Sequence, residues 1–492
     1  AFANLRQPPP PPPASLVDTL HSPADPPRMK ITFHGAARSV TGSRHFVETA
    51  SGNVLLDCGL VQGPRREAEK RNREFGFEAK SVAACVLSHA HIDHAGNLPL
   101  LVKQGFDGNI WCTHGTRDIA SAMLLDSANI QMSDAAFMNR QKRPSEPEVL
   151  PLYTPDEARA AIQRMIAIPY GRTVDVLPGV TARFADAGHI LGSAVTVLRE
   201  RKNGASKSVV FTGDLGRKRF PILRDPQTVE QGDVYITEST YGNRDHGGDV
   251  AEAKARLLEV MKRTASRGGH VIVPAFALGR AQSLAYLLHE LWAEAKLPRM
   301  PLFVDSPLSI DVTGIYKLHP ECFDEPTLKY LSDGVPGDPF GFQALTYLRS
   351  TEESKTLNAR QGPFLVIAAS GMCEGGRVLH HLKHGVMDPR NTVLIVGFCA
   401  KHTLGRRLAD GAPVARIYGV EYPVKAEVVR LDGMSQHAGR GELMEYAVTQ
   451  KKAAAAFCVH GEEEQVTAMK DGMKAAGFGK VEAPALGESF DL

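Results

Sequence analysis

Short runs of apolar or β-branched residues recur along the chain, and each ends in polar or turn-forming residues. This pattern is typical of buried strands followed by functional loops, because chemistry collects where strands end and the scaffold stops. The pattern therefore predicts an α/β fold. The runs cover residues 82–87, 209–212, 234–237, 271–273, 302–304, 393–396 and 454–459.

Helices are predicted between these runs. After Gly279, four leucines recur at i, i+3, i+4 and i+7, which places them on one helical face. We interpret this stripe as core and not as a cofactor site. A second helix is predicted over residues 462–476, with acidic residues in its first turn as the helix dipole favours. The four leucines are Leu284, Leu287, Leu288 and Leu291.

Length and charge limit the possible domain organisation and the possible mode of nucleic-acid binding. The chain has 492 residues, more than one compact core usually takes, so we expect two domains or one domain with a large insert. Hydrophobic residues make up 43% of the chain and charged residues 23%, which is the mixture of an ordinary globular protein. The net charge of +2 gives no global basic field, so any path for a nucleic acid must be a local groove.

Cysteine usage and hydropathy bear on the compartment. The seven cysteines are odd in number and form no Cys-x-x-Cys pair, which favours a reducing compartment. The chain has no run of about 18 apolar residues that could span a bilayer, so we expect a soluble, cytoplasmic protein. Residues 1–28 are proline-rich and are predicted to be a disordered leader. Whether this leader is native, a targeting segment or artificial is left open.

One short stretch of the chain has the composition of a metal site. On a strand-to-loop turn, His89 and His91 project to the same side, and Asp93 and His94 continue the loop towards a second nearby point. Zinc binds imidazole nitrogen and carboxylate oxygen at about 2.0–2.2 Å, so the spacing predicts two adjacent metal positions. The alternative is a histidine-rich surface loop, which the position directly after a strand disfavours.

The pattern His89-x-His91-x-Asp93-His94 resembles the signature of the metallo-β-lactamase superfamily. The family's remaining elements are matched in the same order along the chain. The resemblance implies an α/β fold in which two sheets and their outer helices form an αββα sandwich. Asp57 resembles the aspartate that supports the metal loop, His189 the third histidine, and Asp214 the carboxylate that bridges both metals.

Further motifs resemble the β-CASP ribonuclease family, which includes the mRNA 3′-end cleavage nuclease and bacterial RNA-degrading enzymes. Glu238 lies in a motif like the one that opens the β-CASP insert, His437 in the motif that follows it, and His460 in the last histidine motif. The resemblance implies an α/β β-CASP domain inserted into the sandwich. The implied organisation is a metallo-β-lactamase domain over residues 29–241 and 434–492, with the β-CASP domain over residues 242–433.

The resemblance also implies two zinc ions per chain. Two zinc ions about 3.5–4 Å apart can hold a bridging hydroxide and clamp the charge that builds on a phosphodiester. Asp57 would orient the ligand loop, although a strand-end aspartate can also serve only as a turn cap. The implied ligands are His89, His91, His189 and Asp214 for one ion, and Asp93, His94, His460 and the shared Asp214 for the other.

A departing ribose oxygen needs a proton, and His437 is the candidate acid. Glu238 could hydrogen-bond the other imidazole nitrogen, fix the tautomer and raise the protonated fraction. A purely structural His437 is the alternative. We therefore count Glu238, His437 and the ligand Asp93 as candidate catalytic residues.

Three residues of the insert are candidate substrate-binding residues. Arg280, Ser370 and Arg377 lie in or beside Gly-rich turns at strand ends, where backbone amides and guanidinium groups can cradle phosphates. An arginine in a solvent-exposed turn is the alternative. The histidines of residues 380–384 are not assigned as ligands, and the basic stretch 65–73, which includes two acids, is predicted to be a solvated helical face.

The predicted function is zinc-dependent hydrolysis of single-stranded RNA by a two-metal hydroxide with a histidine acid. Endonucleolytic cutting is preferred, although 5′-to-3′ trimming would use the same site. The alternatives are a DNA nuclease of the same family, a small-molecule hydrolase of the same fold and a non-catalytic scaffold in RNA processing. The insert disfavours the small-molecule hydrolase, His460 disfavours the DNA nuclease, and the full set of ligands disfavours the scaffold. A homodimer is left open, and no membrane partner is expected.

Overall fold

This computed structural model describes residues 29–492, except for residues 144, 146, 333–337, 398 and 401 and the side chain of Arg65. The predicted disordered leader, residues 1–28, lies outside the described residues. None of the described helices is long and apolar enough to cross a bilayer.

The first half of the sandwich is a sheet of seven described strands. Alternate residues of a strand point to opposite faces, and in the strand that precedes His89 the side chains of Ala84 and Val86 enter one core while Cys85 enters another. Both faces of this sheet are therefore covered. In order across the sheet, the strands are β22 (Ser489–Asp491), β1 (Lys30–Phe33), β2 (His45–Thr49), β3 (Gly52–Leu56), β4 (Val82–Val86), β5 (Asn109–Cys112) and β6 (Met165–Ala167).

The second half of the sandwich is another sheet of seven described strands. Val234 and Ile236 share a core with Ala84 and Val86 of the first sheet, whereas Tyr235 faces the opposite layer. The two sheets therefore pack face to face around that shared core. In order across the sheet, the strands are β21 (Val481–Glu482), β20 (Ala455–Cys458), β11 (Val234–Thr237), β10 (Ala205–Phe211), β9 (Ala194–Lys202), β8 (Val180–Asp186) and β7 (Thr173–Leu177).

Helices cover the outer face of each sheet. Apolar side chains of four helices of the sandwich pack on the first sheet, and those of two helices pack on the second, which completes the αββα layers. The helices of the first sheet and its flanking loops are α1 (Arg65–Arg73), α2 (Ile92–Ala95), α3 (Leu98–Lys103), α4 (His114–Gln141) and α5 (Pro155–Gln163). Those of the second sheet are α13 (Arg440–Val448) and α14 (Glu463–Ala475). Short 3-10 turns occupy Ala79–Ser81 and Pro320–Cys322.

A third sheet forms the inserted α/β unit between β11 and β20. All of its recorded strand pairs are parallel, and its four central strands are mainly apolar and buried along their whole length. Such continuous apolar strands are characteristic of parallel sheets with helices on both sides. In order across the sheet, the strands are β14 (Leu345–Tyr347), β13 (Leu302–Asp305), β15 (Leu365–Ala368), β12 (Val271–Pro274), β16 (Thr392–Ile395) and β19 (Glu427–Arg430). A separate hairpin consists of β17 (Val414–Ile417) and β18 (Val420–Pro423).

Helices pack on both faces of the third sheet. The leucine stripe predicted after Gly279 lies on α7 and is buried against one face, so its interpretation as core is confirmed. The predicted helix over 462–476 is α14. The helices on the stripe's face are α6 (Val250–Ser266) and α7 (Arg280–Ala293), and those on the other face are α10 (Thr351–Ala359), α11 (Val378–Gly385) and α12 (Leu404–Ala409). Two further helices, α8 (Pro307–Leu318) and α9 (Glu325–Ser332), lie between α7 and α10 along the chain. Helix α8 packs on α4 of the sandwich.

The predicted fold class is thereby confirmed: an αββα sandwich with an inserted α/β domain. Each sheet combines strands from distant parts of the chain, so a single site can include residues that are far apart in the sequence. β10, β11 and β20 run parallel to one another, so their carboxyl ends meet at one edge of the second sheet. The domain boundaries at residues 241/242 and 433/434 stay predictions.

Candidate metal centre

The candidate site lies where strands of both halves of the sandwich end. Loops at these positions leave the regular backbone pairing, so their side chains are free to converge on one point. Asp57 follows β3, residues 88–94 follow β4, His189 follows β8, Asp214 follows β10, Glu238 follows β11, and His460 follows β20. The structure thus brings all seven predicted ligands and the predicted acid His437 into one cluster.

One group of side chains comprises His89, His91, His189 and Asp214, whose nearest ligand atoms lie within 4.8 Å of one another. The Nδ1 atom of His91 is 3.2 Å from the Nε2 atoms of both His89 and His189. The Oδ2 atom of Asp214 is 3.4 Å from His89 Nε2 and 3.6 Å from His189 Nε2. Three imidazoles and one carboxylate oxygen therefore face a common point.

A second group comprises Asp93, His94 and His460. His94 Nε2 is 3.1 Å from His460 Nε2, which in turn is 3.4 Å from Asp93 Oδ2. The other oxygen of Asp214, Oδ1, lies 3.4 Å from His94 Nε2 and 3.6 Å from His460 Nδ1. Asp214 therefore presents one oxygen to each group, as a carboxylate shared by two cations would.

The outer nitrogens of four imidazoles are held by hydrogen-bond partners. A hydrogen bond at Nδ1 fixes the orientation of the ring and leaves Nε2 to face a metal, which is the usual arrangement around metal-binding histidines. The pairs are His89 Nδ1 with Ser88 Oγ at 3.0 Å, His94 Nδ1 with Asp57 Oδ2 at 2.7 Å, His189 Nδ1 with the Gln436 carbonyl at 3.4 Å, and His460 Nδ1 with Thr240 Oγ1 at 3.1 Å. Four of the five histidines are thus oriented before any cation binds.

The charges of the cluster also fit a cation. Burial lowers the pKa of His91 to about 3 and lowers the pKa values of His89 and His189, so these rings are neutral, as metal ligands must be. Burial alone would raise the pKa of Asp214, but the surrounding imidazoles hold it well below its usual range. Its Oδ1 atom is buried and has no hydrogen-bond partner among the described residues. A buried, unsatisfied carboxylate oxygen that lies among imidazole nitrogens is a fit for divalent metal ions.

Asp57 lies directly behind the cluster and is fully buried. Its Oδ2 atom accepts hydrogen bonds from His94 Nδ1, from Ser88 Oγ at 2.9 Å and from Ser43 Oγ at 3.2 Å. Its Oδ1 atom accepts from the Ser88 backbone at 2.8 Å. Asp57 therefore orients side chains of the metal loop and offers no oxygen to the cluster itself.

His437 stands at the opening of the site, with a side chain that is 21% exposed. Its Nδ1 atom lies 3.3 Å from both carboxylate oxygens of the fully buried Glu238 and 3.9 Å from Asp214 Oδ2. Burial opposes a charged ring, but Glu238 and then Asp214 outweigh this effect and raise the pKa of His437. Nε2 makes no hydrogen bond with any described residue, so it can face a substrate.

The three predicted substrate-binding residues lie in the insert, and their side chains are engaged within the protein. Arg280 is buried and donates to the carbonyl of Val396. Arg377 donates to Asp305 at 2.6 Å and to two backbone carbonyls, and Ser370 Oγ accepts from the backbone of Glu374. Their predicted contact with substrate stays a prediction.

Two other sequence expectations concern local structure. The basic stretch 65–73 is the helix α1, as expected, and its described charged side chains are mostly exposed. Of the histidines on α11, His381 is buried and donates to Asp305 at 2.6 Å, so it belongs to the packing of the insert.

Sequence reasoning missed three side chains that hold the site together. Ser88 and Thr240 bond the outer nitrogens of His89 and His460, and His246 Nε2 donates to the backbone carbonyl of His437 at 2.8 Å. Ser88 and Thr240 each lie within two residues of a predicted site residue, which was an available signal. No spacing rule could have paired His246 with a residue 191 positions away.

The site and the fold together define a metallohydrolase-type centre on a metallo-β-lactamase sandwich. Family models match residues 42–267 as the metallo-beta-lactamase superfamily, residues 281–408 as the Beta-Casp domain and residues 421–484 as a Zn-dependent metallo-hydrolase RNA specificity domain. Ribonuclease TTHA0252 of Thermus thermophilus is 36% identical over 441 residues, which cover 90% of this chain and 95% of that protein. Transcription termination factor FttA of Methanocaldococcus jannaschii is 30% identical over 450 residues, covering 89% and 67% respectively.

A solved structure is similar in fold alone. The crystal structure of a protein of unknown function from Enterococcus faecalis matches with a TM-score of 0.53 and 12% identity, and the match covers 94% of this chain and 100% of the Enterococcus chain.

By the matched family models and the relative from Thermus thermophilus, the chain belongs to the metallo-β-lactamase superfamily and, within it, to the β-CASP family.

Proposed function

We propose that this protein is a zinc-dependent ribonuclease that hydrolyses phosphodiester bonds within single-stranded RNA. The observation that carries the proposal is the division of Asp214 between two groups of imidazoles, with the His437–Glu238 pair beside them. Such an arrangement suits two adjacent cations and an acid facing the same substrate.

The seven ligand side chains would hold two zinc ions. When bound, such ions attract the phosphodiester anion and make a water molecule acidic enough to ionise near neutral pH. His89, His91, His189 and Asp214 already have the charge states that a cation requires, whereas His94, whose pKa is raised by Asp214 and Asp57 against the effect of burial, would give up a proton when a metal binds. Asp93, which is partly exposed, would take up the proton that the water loses.

His437 would protonate the departing oxygen. A water oxygen adds to phosphorus, the bond from phosphorus to the departing ribose oxygen breaks, and that oxygen must take up a proton as it leaves. Glu238 holds Nδ1 of His437, so the imidazolium proton at Nε2 is the one available for transfer. The raised pKa of His437 favours the protonated form that this role needs.

The choice of RNA rests on the relatives and on His460. The matched RNA specificity domain spans both His437 and His460, and the relative from Thermus thermophilus is named a ribonuclease. Cleavage at internal bonds is proposed over 5′-to-3′ trimming, which would use the same metal site.

A substrate panel tests the proposal. Zinc-reconstituted protein should bind about two zinc ions per chain and should cleave RNA faster than DNA of the same sequence at matched salt, since phosphate contacts are strongly screened. RNA labelled at either end should yield internal fragments from the first time points. Equal rates on RNA and DNA, turnover of a β-lactam alone, or zinc content near zero would each contradict the proposal.

The acid can be tested separately by a change of leaving group. His437→Ala should keep both zinc ions and lose about 10²–10⁴-fold in RNA cleavage, which is the usual contribution of a positioned acid. Bis(p-nitrophenyl) phosphate has a leaving group that departs without a proton, so its hydrolysis should slow far less. Equal losses on both substrates would contradict the role of His437 as the acid.

A further inference from the structure

The two ends of the insert are tied together beside the candidate acid. The chain enters the insert through residues 241–246 and returns to the sandwich through residues 436–441. His246 Nε2 donates to the carbonyl of His437 at 2.8 Å, and the backbone N–H of Arg440 donates to the carbonyl of Arg244 at 3.1 Å. A third bond runs from the backbone N–H of Gly441 to Asp245 Oδ1 at 2.8 Å. These three hydrogen bonds form what we call the crossover clamp.

The ring of His246 is held by packing as well as by this hydrogen bond. Its centroid lies 4.3 Å from that of the buried Tyr241 ring. Gly439 approaches so closely that a Cβ atom there would lie 3.3 Å from His246 Cδ2 and 2.8 Å from Asp245 Oδ1. The returning chain therefore fits against the entering chain only because it has no side chain at this position.

Burial, together with the charge of Arg217, lowers the pKa of His246 to about 4. A neutral imidazole carries one N–H, and a carbonyl can only accept, so that proton lies on Nε2. His246 is therefore a fixed donor near neutral pH and not a proton carrier.

The backbone on both sides of the acid is consequently fixed. The N–H of Ala438 donates to the carbonyl of Leu215 at 2.8 Å, and the carbonyl of His437 accepts from His246. Glu238 holds the far end of the His437 side chain at Nδ1. Without His246, the peptide group between His437 and Ala438 would lose its side-chain anchor, and the ring could move relative to Glu238. A displacement of about 1 Å at a reacting group can cost about 10²-fold in rate.

We propose that His246 is a positioning residue that holds the acid His437 by donating Nε2–H to its backbone carbonyl. This inference rests on the proposed function, because it requires His437 to be the proton donor. It adds a residue that contacts neither metal ligand nor substrate and that acts only through the acid.

His246→Leu removes the donor and keeps an apolar side chain against Tyr241. The expected result is a decrease in kcat on RNA of about 10–100-fold, with KM and zinc content unchanged, which is the range for partners that orient a reacting group. Hydrolysis of bis(p-nitrophenyl) phosphate should change less than about threefold, because that reaction needs no acid. His246→Gln, whose carboxamide can still donate, should recover most of the kcat on RNA.

A matched control is His270→Leu, which replaces a half-buried histidine that stacks on Phe364 in the insert. This control should leave the ratio of the two substrates' rates unchanged. His246→Leu would overturn the inference if it cleaved RNA at the wild-type rate or slowed both substrates equally. Failure of His246→Gln to recover activity would overturn it too, because ring packing alone would then explain the loss.

The double variant His246→Leu/His437→Ala separates this inference from the proposed function. If His246 acts only through His437, the double variant should cleave RNA no more slowly than His437→Ala alone, since residues that act as a unit are not additive. Additive losses would overturn the inference while leaving the acid in place. If His437→Ala itself shows no contrast between the substrates, the proposed acid fails, whatever His246 does.

Discussion

Asp57 shows how one residue can serve both backbone and site. Its φ angle of 61° lies in the left-handed region, which aspartate and asparagine tolerate better than other side chains do. This conformation turns the chain out of β3 and directs both carboxylate oxygens at Ser43, Ser88 and His94. The residue therefore fits its place for reasons of conformation and of hydrogen bonding.

Asp57→Asn should weaken metal binding while keeping the backbone. One carboxylate oxygen becomes an NH₂ group, which cannot accept the proton of His94 Nδ1 or those of the serine hydroxyls. We expect zinc affinity, measured by competition with a chelator, to fall about 10–100-fold. Asp233→Asn is the control, because Asp233 likewise accepts from the backbone and hydroxyl of a serine, Ser208, but is remote from the site. Unchanged affinity in Asp57→Asn would contradict the role given to Asp57.

Asp186, at the end of β8, is a buried carboxyl group whose ionisation lowers the stability of the folded state. It is 3% exposed, its Oδ2 atom has no hydrogen-bond partner among the described residues, and burial raises its pKa to about 7. The folded state therefore holds the Asp186 proton more tightly than the unfolded state does. The contribution to stability is fully present below about pH 4 and is lost as the pH rises towards 7.

Asp186→Asn should remove this part of the pH dependence. Between pH 5 and pH 8, the wild type should lose about 2–3 kcal/mol in free energy of unfolding relative to the variant. Urea unfolding at several pH values measures the difference. Asp175→Asn, an exposed carboxylate on neighbouring β7, controls for the loss of one charge. Parallel pH profiles for wild type and Asp186→Asn would contradict the prediction.

At the scale of elements, the turn between β12 and α7 connects the insert to the metal centre. Gly279 has φ +78° at the start of α7, and a Cβ there would lie 2.3 Å from Gln436 Oε1. The carbonyl of Gln436 in turn accepts from His189 Nδ1 and from the backbone of Arg217. A change in this turn therefore reaches a predicted metal ligand through a single intervening residue.

Gly279→Ala should cost more than backbone strain alone. The strain of a non-glycine residue at this φ is about 1–3 kcal/mol, and the displacement of Gln436 adds to it and weakens zinc binding. Gly268→Ala provides the control, because Gly268 has φ +71° and no atom within 4 Å of the added Cβ. Urea unfolding and chelator competition measure the two effects. Equal destabilisation in both variants, with unchanged zinc affinity, would show that the contact with Gln436 contributes neither to stability nor to zinc binding.

At the scale of the whole molecule, the candidate metal centre joins the two halves of the sandwich. His89 and His94 come from the first sheet, whereas Asp214 and His460 come from the second. A ligand that binds only the folded state stabilises it by mass action, by about 2.7 kcal/mol at a hundred times its Kd. Bound cations would also relieve the unsatisfied Asp214 oxygen between the sheets.

Removal of metal should therefore lower Tm by several degrees, since a loss of 1 kcal/mol lowers Tm by about 2–4 °C in domains of about 150–250 residues. Differential scanning calorimetry of zinc-loaded and chelator-treated protein measures the shift. Asp214→Asn should reduce the difference between the two samples. A Tm that is independent of metal in the wild type would contradict the prediction.

The sequence by itself determined the α/β class, the helices α7 and α14 and the local ligand cluster. Each depends on residues close together in the chain, where spacing alone fixes which side chains share a face or a turn. His189, Asp214, Glu238, His437 and His460 were assigned from the family's motifs, because no local rule brings such distant residues together.

Only the tertiary structure decided which way individual side chains turn. Arg280 and Arg377 follow strand ends as predicted, but packing turns Arg280 towards Val396 and Arg377 towards Asp305. His246 reaches His437 because the two ends of the insert cross beside the site. A contact of this kind depends on the register between segments that are distant in the chain, and that register is set by the packing of the whole sandwich and insert.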